Sequence, residues 1–159
     1  MEEPCTTDQQ LALAWTTSKV PPRPVIATGA FDILHIGHLR LLEEAHRRGH
    51  PFVVGVESDQ RVRSWKGPSR PVNSELDRAA LLSALRCVDA TFIISGDPER
   101  AHWQDYVRLL APLHPFALVF TQGDPFDGPK RRAAVELGSQ VWDVPHVPKR
   151  STSAIVDRL

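Results

Sequence analysis

Two histidines three positions apart, His35 and His38, flank Gly37 in the stretch Gly29-Ala30-Phe31-Asp32-Ile33-Leu34-His35-Ile36-Gly37-His38. Residues three apart on a helix share a side, so the two imidazoles present their donors together. A helix N-terminus beside them favours anions, and Gly37 has no side chain to hold a phosphate off the backbone. The arrangement suits a phosphoryl group that gains charge in a transition state. In isolation such a pair more commonly caps a helix or packs in a turn. Zinc is a poorer match, because helical zinc pairs sit four apart.

Other segments carry chemistry of the same kind. Lys66 stands in a stretch bounded by Gly67 and Pro68, where a cation could close over an anion or remain a solvated lysine, and Arg70 follows it. In Gly123-Asp124-Pro125 the glycine permits close approach and the aspartate offers acceptors, although a plain Asp-Pro turn fits too. Ser151-Thr152-Ser153 supplies hydroxyls that either cap a helix or meet a phosphate. Lys130-Arg131-Arg132 reads as a solvated helix end, and Cys87, Trp65, Trp103 and Trp142 read as packing residues. No G-x-x-x-x-G-K-[ST] pattern occurs, which argues against a P-loop enzyme.

The elements that must position these groups alternate. Val25 to Thr28 and Phe52 to Val56 are short apolar runs of the kind buried on both faces of a parallel sheet. Strands are also expected at Ala90 to Ile94, Ala117 to Phe120 and Gln140 to Val144. Between them, Leu39, Leu42 and Ala45 form one helical face ending before Gly49. A polar connection follows Val56, and Asn73 and Ser74 then cap a helix with Leu81, Ala84, Leu85 and Val88 inward. Further helices are expected from Asp97-Pro98 to Leu110, from Arg131 to Leu137 and from about Thr152. The order predicts an α/β protein: a doubly wound, Rossmann-like parallel five-stranded sheet with helices on both faces. Its ligand site belongs at the carboxyl ends of the strands, where Gly29 to His38 lie. Residues 1–22, with a helix-compatible stretch at Leu11 to Trp15, read as an N-terminal extension to a domain spanning 23–159.

The 159 residues are the length of one domain, with 42% hydrophobic and 24% charged residues typical of a globular chain. Nineteen basic and nineteen acidic side chains cancel, so no long-range field favours nucleic acid or an anionic membrane. Cys5 and Cys87 form no disulfide framework or zinc spacing, which points to a reducing cytoplasm. The acidic start and the lack of a long apolar run predict a chain with no targeting or membrane segment.

The stretch GAFDILHIGH resembles the signature of the nucleotidylyltransferase superfamily, whose members join a nucleoside monophosphate to a phosphate-bearing acceptor and release pyrophosphate. The resemblance runs from Val25 to Leu159. Its segment Lys66-Gly67-Pro68-Ser69-Arg70-Pro71-Val72-Asn73 looks most like the adenylyltransferase domain of ADP-heptose synthase, with glycerol-phosphate cytidylyltransferase also similar. The resemblance implies a Rossmann-like enzyme that takes ATP and a sugar phosphate, or alternatively CTP and a polyol or amino-alcohol phosphate. A nucleotide-binding module without turnover is the non-enzymatic alternative.

By the same resemblance His35, His38 and Lys66 are catalytic. Ala30, Phe31, Gly37, Gly123, Asp124, Arg150, Ser151, Thr152 and Ser153 contact the nucleotide, while Asp32, Lys66 and Arg70 face the acceptor. Mg²⁺ enters with the nucleotide, no dedicated protein metal site is expected, and a homodimer is implied. Two departures are visible. Pro125 and Phe126 follow Asp124, where relatives commonly put an aromatic directly after the aspartate. His146 occupies the place of an arginine found in cytidylyltransferases, whose charge Arg150 or Lys149 could supply.

Overall fold

The fold is known from a computed structural model that describes residues 9–148 and 150–159; Cys5 and Lys149 lie outside them. The apolar runs become strands β2 (Val25–Gly29), β3 (Phe52–Glu57), β4 (Ala90–Ser95), β5 (Ala117–Thr121) and β6 (Gln140–Val144), all parallel. Their side chains alternate between two cores. Val25, Ala27, Val54 and Val119 meet helices α1 (Ile36–Arg47) and α3 (Glu75–Ser83) on one face. Ile26, Val53, Phe92 and Leu118 meet α4 (Trp103–Leu110) and α5 (Gly128–Glu136) on the other. The doubly wound α/β expectation therefore holds.

Among the described residues the sheet has six strands, however: β1 (Ala12–Trp15) joins the others in the order β1-β4-β3-β2-β5-β6. The added edge strand β1 runs antiparallel to β4 and comes from the stretch read as helix-compatible. Leucine and alanine favour helices locally, but Leu13 and Trp15 pack on the second core while Ala12 and Ala14 face out. Trp15 meets Phe92 edge-on at 5.2 Å. Tertiary pairing outweighs a weak local propensity here.

Three helices also differ from expectation. The polar connection after β3 holds α2 (Asp59–Lys66), capped by Ser58, so Lys66 ends a helix instead of sitting in a loop. Its helical signal is faint because charged residues dominate it. In α3 the buried residues are Arg78, Ala79 and Leu82 and Leu81 is half exposed; the helix stops at Ser83, and Leu85 and Val88 reach the core, as expected, from the turn beyond it. Asp97-Pro98 opens no helix: the Asp97 carboxylate accepts the Glu99 N–H at 2.9 Å, forming a turn, and α4 begins only at Trp103.

The sheet reverses its winding between β2 and β5. β2 pairs with β3 along its whole length, from Val25 to Gly29, but with β5 only at Val25 and Ile26. The two strands part at their carboxyl ends and open a crevice at the switch point.

Candidate active site

The chain leaves β2 through a turn in which Phe31 and Ile33 take left-handed backbone angles, φ 50° and 44°. Such residues cost about 1–2 kcal/mol each. Buried Asp32, between them, offsets that cost. Its carboxylate accepts N–H bonds from Val72 at 2.7 Å and Asn73 at 3.0 Å and pairs with the Arg70 guanidinium at 3.3 Å. Although burial opposes ionisation, these hydrogen bonds and Arg70 hold the acid below the usual carboxylate range. The Asp32 carbonyl also accepts the Thr152 hydroxyl at 2.6 Å, tying the late Ser-Thr-Ser segment to the signature turn.

Arg78 adds a second clamp. Its guanidinium donates to the carbonyls of Ala30 at 2.6 Å, Glu57 at 2.8 Å and Asn73 at 3.0 Å, and to the Asp59 carboxylate at 2.8 Å. One buried side chain thus holds the ends of β2 and β3, the 73 loop and α2 together. Arginine suits this role because its planar fork offers five donors and keeps its charge.

At the start of α1 the histidine pair caps its own helix. Nδ1 of His35 accepts the Gly37 N–H at 3.0 Å, and Nδ1 of His38 accepts the His35 N–H at 3.4 Å. The rings stack with centroids 3.8 Å apart, and Phe31 lies beneath His38 at 5.4 Å. Because both Nδ1 atoms are acceptors, the proton of each neutral ring is on Nε2. Burial lowers the His35 pKa. Burial, reinforced by His35 and Lys66, pushes His38 down to about 3. At neutral pH the pair is therefore two neutral donors. Capping and anion binding are compatible, since the cap uses Nδ1 and leaves Nε2 free of it.

Gly37 is required for a different reason from the one its sequence position implies. A Cβ there would lie 2.8 Å from Cε1 and 3.0 Å from Nδ1 of His35, so any side chain would displace the capping ring.

These groups border a cleft of about 570 Å³ over the β2–β5 crevice. His35, Gly37, His38, Lys66, Gly123 and Asp124 line it. Arg150, Ser151, Thr152, Ser153 and His146 also line it, and Arg150 adjoins Gly37, where an added Cβ would lie 3.7 Å from its own. Gly123 has φ 82°, a conformation favouring glycine, and lets the chain turn sharply after β5. The Asp124 carboxylate accepts the Phe126 N–H at 2.9 Å. Of the three late hydroxyls, Ser151 caps α6 (Thr152–Val156) through the Ala154 N–H and Thr152 is bound to Asp32, while Ser153 is exposed. Partial desolvation, with Arg70 nearby, holds the Lys66 ammonium below the ordinary lysine value.

Some expected site residues lie elsewhere. Phe31 is buried beneath His38, and Asp32 and Arg70 bind each other behind the cleft, so all three support its walls without bordering it. Both Asp32 oxygens are committed to internal hydrogen bonds. Among the described residues no group of three or more His, Cys, Asp or Glu is placed to hold a metal ion, so these side chains form no cage for Mg²⁺. Ala30 borders a second cavity, of about 460 Å³, that joins the first at Leu41, Lys66, Thr121, Asp124 and Phe126.

The second cavity holds residues that the motif reading missed. Glu57, at the end of β3, is buried and binds Arg61 Nε at 2.7 Å and Lys130 Nζ at 3.3 Å. The Lys130-Arg131-Arg132 run is a solvated end only at Arg132, which is exposed while lying over Trp103 at 4.3 Å; Lys130 is partly buried against Glu57, and Arg131 bonds Asp127 and Asp143. Trp65 is 44% exposed and borders this cavity, whereas Trp142 and Cys87 are buried as expected. The spacing of four between Glu57 and Arg61 is the signal available in sequence, and the polar composition of α2 hides it.

Comparison with known proteins agrees with this geometry. The chain is 41% identical over 135 residues to the bifunctional protein HldE of Campylobacter curvus, covering 85% of this chain and 27% of that protein. It is 39% identical over 156 residues to the HldE of Streptomyces coelicolor, covering 96% of this chain and 32% of that protein. The chain thus spans about a third or less of these relatives. A lipopolysaccharide core biosynthesis protein from Thermoplasma volcanium superposes with a TM-score of 0.59 at 30% identity, over 78% of this chain and 95% of that one. A pantoate-beta-alanine ligase from Francisella tularensis shares the fold alone, with a TM-score of 0.57 at 15% identity over 91% of this chain and 67% of that one. The cytidylyltransferase-like family matches residues 26–156, nearly the whole of the sheet and every wall of the cleft, and the chain belongs to that family.

Proposed function

We propose that the protein transfers a nucleoside monophosphate from ATP to a sugar phosphate, such as a heptose phosphate, and releases pyrophosphate. The observation that carries this reading is the position of Lys66, which borders both cavities where they meet and is near enough to His38 for its charge to oppose protonation of that ring. A triphosphate fits the cleft walled by the neutral Nε2–H donors of His35 and His38, with Arg150 and Ser153 toward its β- and γ-phosphates. An acceptor phosphate enters from the second cavity. Lys66 then draws the two anions together, offsetting their repulsion.

In the reaction an acceptor phosphate oxygen attacks the α-phosphorus, the bond to the bridging oxygen of the β-phosphate breaks, and pyrophosphate leaves with that electron pair. A phosphate monoester is already anionic at neutral pH, so no strong base is required, and catalysis rests on alignment and charge stabilisation. The histidines donate hydrogen bonds to phosphoryl oxygens as charge develops. Mg²⁺ belongs with the triphosphate as its counter-ion. Support for ATP and a sugar phosphate comes from the Lys66 to Asn73 segment, which resembles the adenylyltransferase of ADP-heptose synthase, and from the HldE relatives. A homodimer and a cytoplasmic setting belong to the same proposal; no described helix is long and apolar enough to cross a membrane.

The test is pyrophosphate release with Mg²⁺ and each of ATP, CTP, GTP and UTP against sugar, polyol and flavin phosphates. Turnover with ATP and a sugar phosphate is expected. Turnover only with CTP and a polyol phosphate would replace this reading, and nucleotide binding without turnover on any acceptor would leave a binding module.

A further inference from the structure

The second cavity contains a polar pair that the transfer chemistry above does not use. At its floor, Glu57 has a side chain 1% exposed and bound on three sides, by Arg61 Nε at 2.7 Å, Lys130 Nζ at 3.3 Å and the Tyr106 hydroxyl at 3.4 Å. Lys130 itself is 19% exposed on its side chain and borders the cavity. Its ammonium sits between the Glu57 carboxylate and the Tyr106 ring, 5.2 Å from the ring centroid. An ammonium has three donors and Glu57 takes one, so a cation fixed in place keeps donor capacity at the cavity floor.

The walls have a complementary character. Trp65 carries Arg61 on one ring face at 4.6 Å, and its Nε1 donates to the Pro98 carbonyl at 3.2 Å, which fixes the indole while leaving it 44% exposed. Phe126, 86% exposed, stands at the junction with the first cavity. Aromatic walls accept the C–H faces of a ring, and a fixed ammonium at the floor donates to hydroxyl oxygens. About 460 Å³ is far more room than a three-carbon glycerol needs.

We propose that Lys130 is the acceptor-reading residue of this protein: held by Glu57, it donates hydrogen bonds to hydroxyl oxygens of a sugar ring seated against Trp65, with the phosphate of that sugar at Lys66. Lys130 makes the contact, and Glu57 is a positioning residue. The inference rests on the reading that the second cavity takes the acceptor. It adds that selection is for a polyhydroxylated ring over a short polyol.

The test compares wild type with Lys130→Met and Lys130→Arg. Glu57 keeps Arg61 and Tyr106 in either variant, and a thermal melt establishes that each is folded. With ATP fixed, pyrophosphate release gives kcat/KM for a heptose or hexose 1-phosphate and for glycerol 3-phosphate. The sugar-to-glycerol ratio is expected to fall about tenfold or more in Lys130→Met, through the acceptor KM, while the KM for ATP holds, and to recover in part in Lys130→Arg. An unchanged ratio, or an equal loss for both acceptors, overturns the proposal. Calorimetric binding of the same two phosphates separates this from failure of the transfer reading. If no acceptor turns over, sugar-selective binding lost in Lys130→Met still supports the assignment, and binding that is absent or insensitive to the variant overturns it.

Discussion

Nδ1 of His38 accepts the backbone N–H of His35 at 3.4 Å while the two rings stack 3.8 Å apart, so each histidine is locked by the other before any ligand arrives. The same contact that caps α1 orients the Nε2–H groups. Preorganisation of this kind costs nothing at the moment of reaction, which is when such donors matter.

Replacing His38 by Ala should therefore lower kcat about a hundredfold or more. The melting temperature should move little, because α1 keeps its buried Leu42 and Ala45 and loses one cap. Pyrophosphate release and a thermal melt measured on the same sample check this; undiminished turnover would remove the pair from the catalytic role.

The depressed histidine pKa values set a direction for acid stability. Between the ordinary histidine value of 6.5 and about 3, the unfolded chain binds a proton at His38 that the folded chain refuses. Stability should then be fully present above pH 6.5 and fall as pH drops through that window, with His35 contributing in the same sense. Denaturant melts at pH 7.5, 6 and 5, with NMR titration of the imidazole resonances, test it. Full protonation of His38 by pH 6 in the free protein would contradict the buried, neutral assignment. A bound triphosphate, being anionic, should raise both values.

Gly37→Ala isolates orientation from chemistry. The new Cβ would meet His35 at 2.8 Å without touching the core, so the ring must move while the helix survives. A misplacement of about 1 Å can cost on the order of a hundredfold in rate. The expected result is a large fall in kcat with a melting temperature within a few degrees of wild type, and a crystal structure or NMR shifts showing the His35 ring displaced.

Asp32→Ala should behave in the opposite way, as a stability defect first. It strands the Val72 and Asn73 N–H groups and the buried Arg70 guanidinium, whose Nη2 has no hydrogen-bond partner among the described residues even now. Breaking a buried ion pair typically costs about 3–5 kcal/mol. Chemical denaturation should show a loss of that order, and hydrogen exchange should rise in residues 70–73 before the rest of the sheet.

Local pattern determined a great deal here. The runs of β2, β3 and β5 are nearly continuous in apolar residues, and the Gly29 to His38 turn announces its chemistry through side chains near one another in the chain. The Lys66, Gly123-Asp124 and Ser151 to Ser153 segments could be named in sequence because each retains a recognisable local form, and the fold brings them to one cleft. What the tertiary structure alone decided involves partners distant in sequence. Ala12 to Trp15 becomes a strand because β4 offers an unpaired edge, and Asp32 becomes a clamp because its acceptors are met by N–H groups about forty residues away. Glu57 and Lys130 become a pair across 73 positions, each looking like an ordinary surface charge in its own segment. Periodicity reports which face of an element is buried. It carries no information on which charge will stand opposite another once the sheet has wound both ways from its centre.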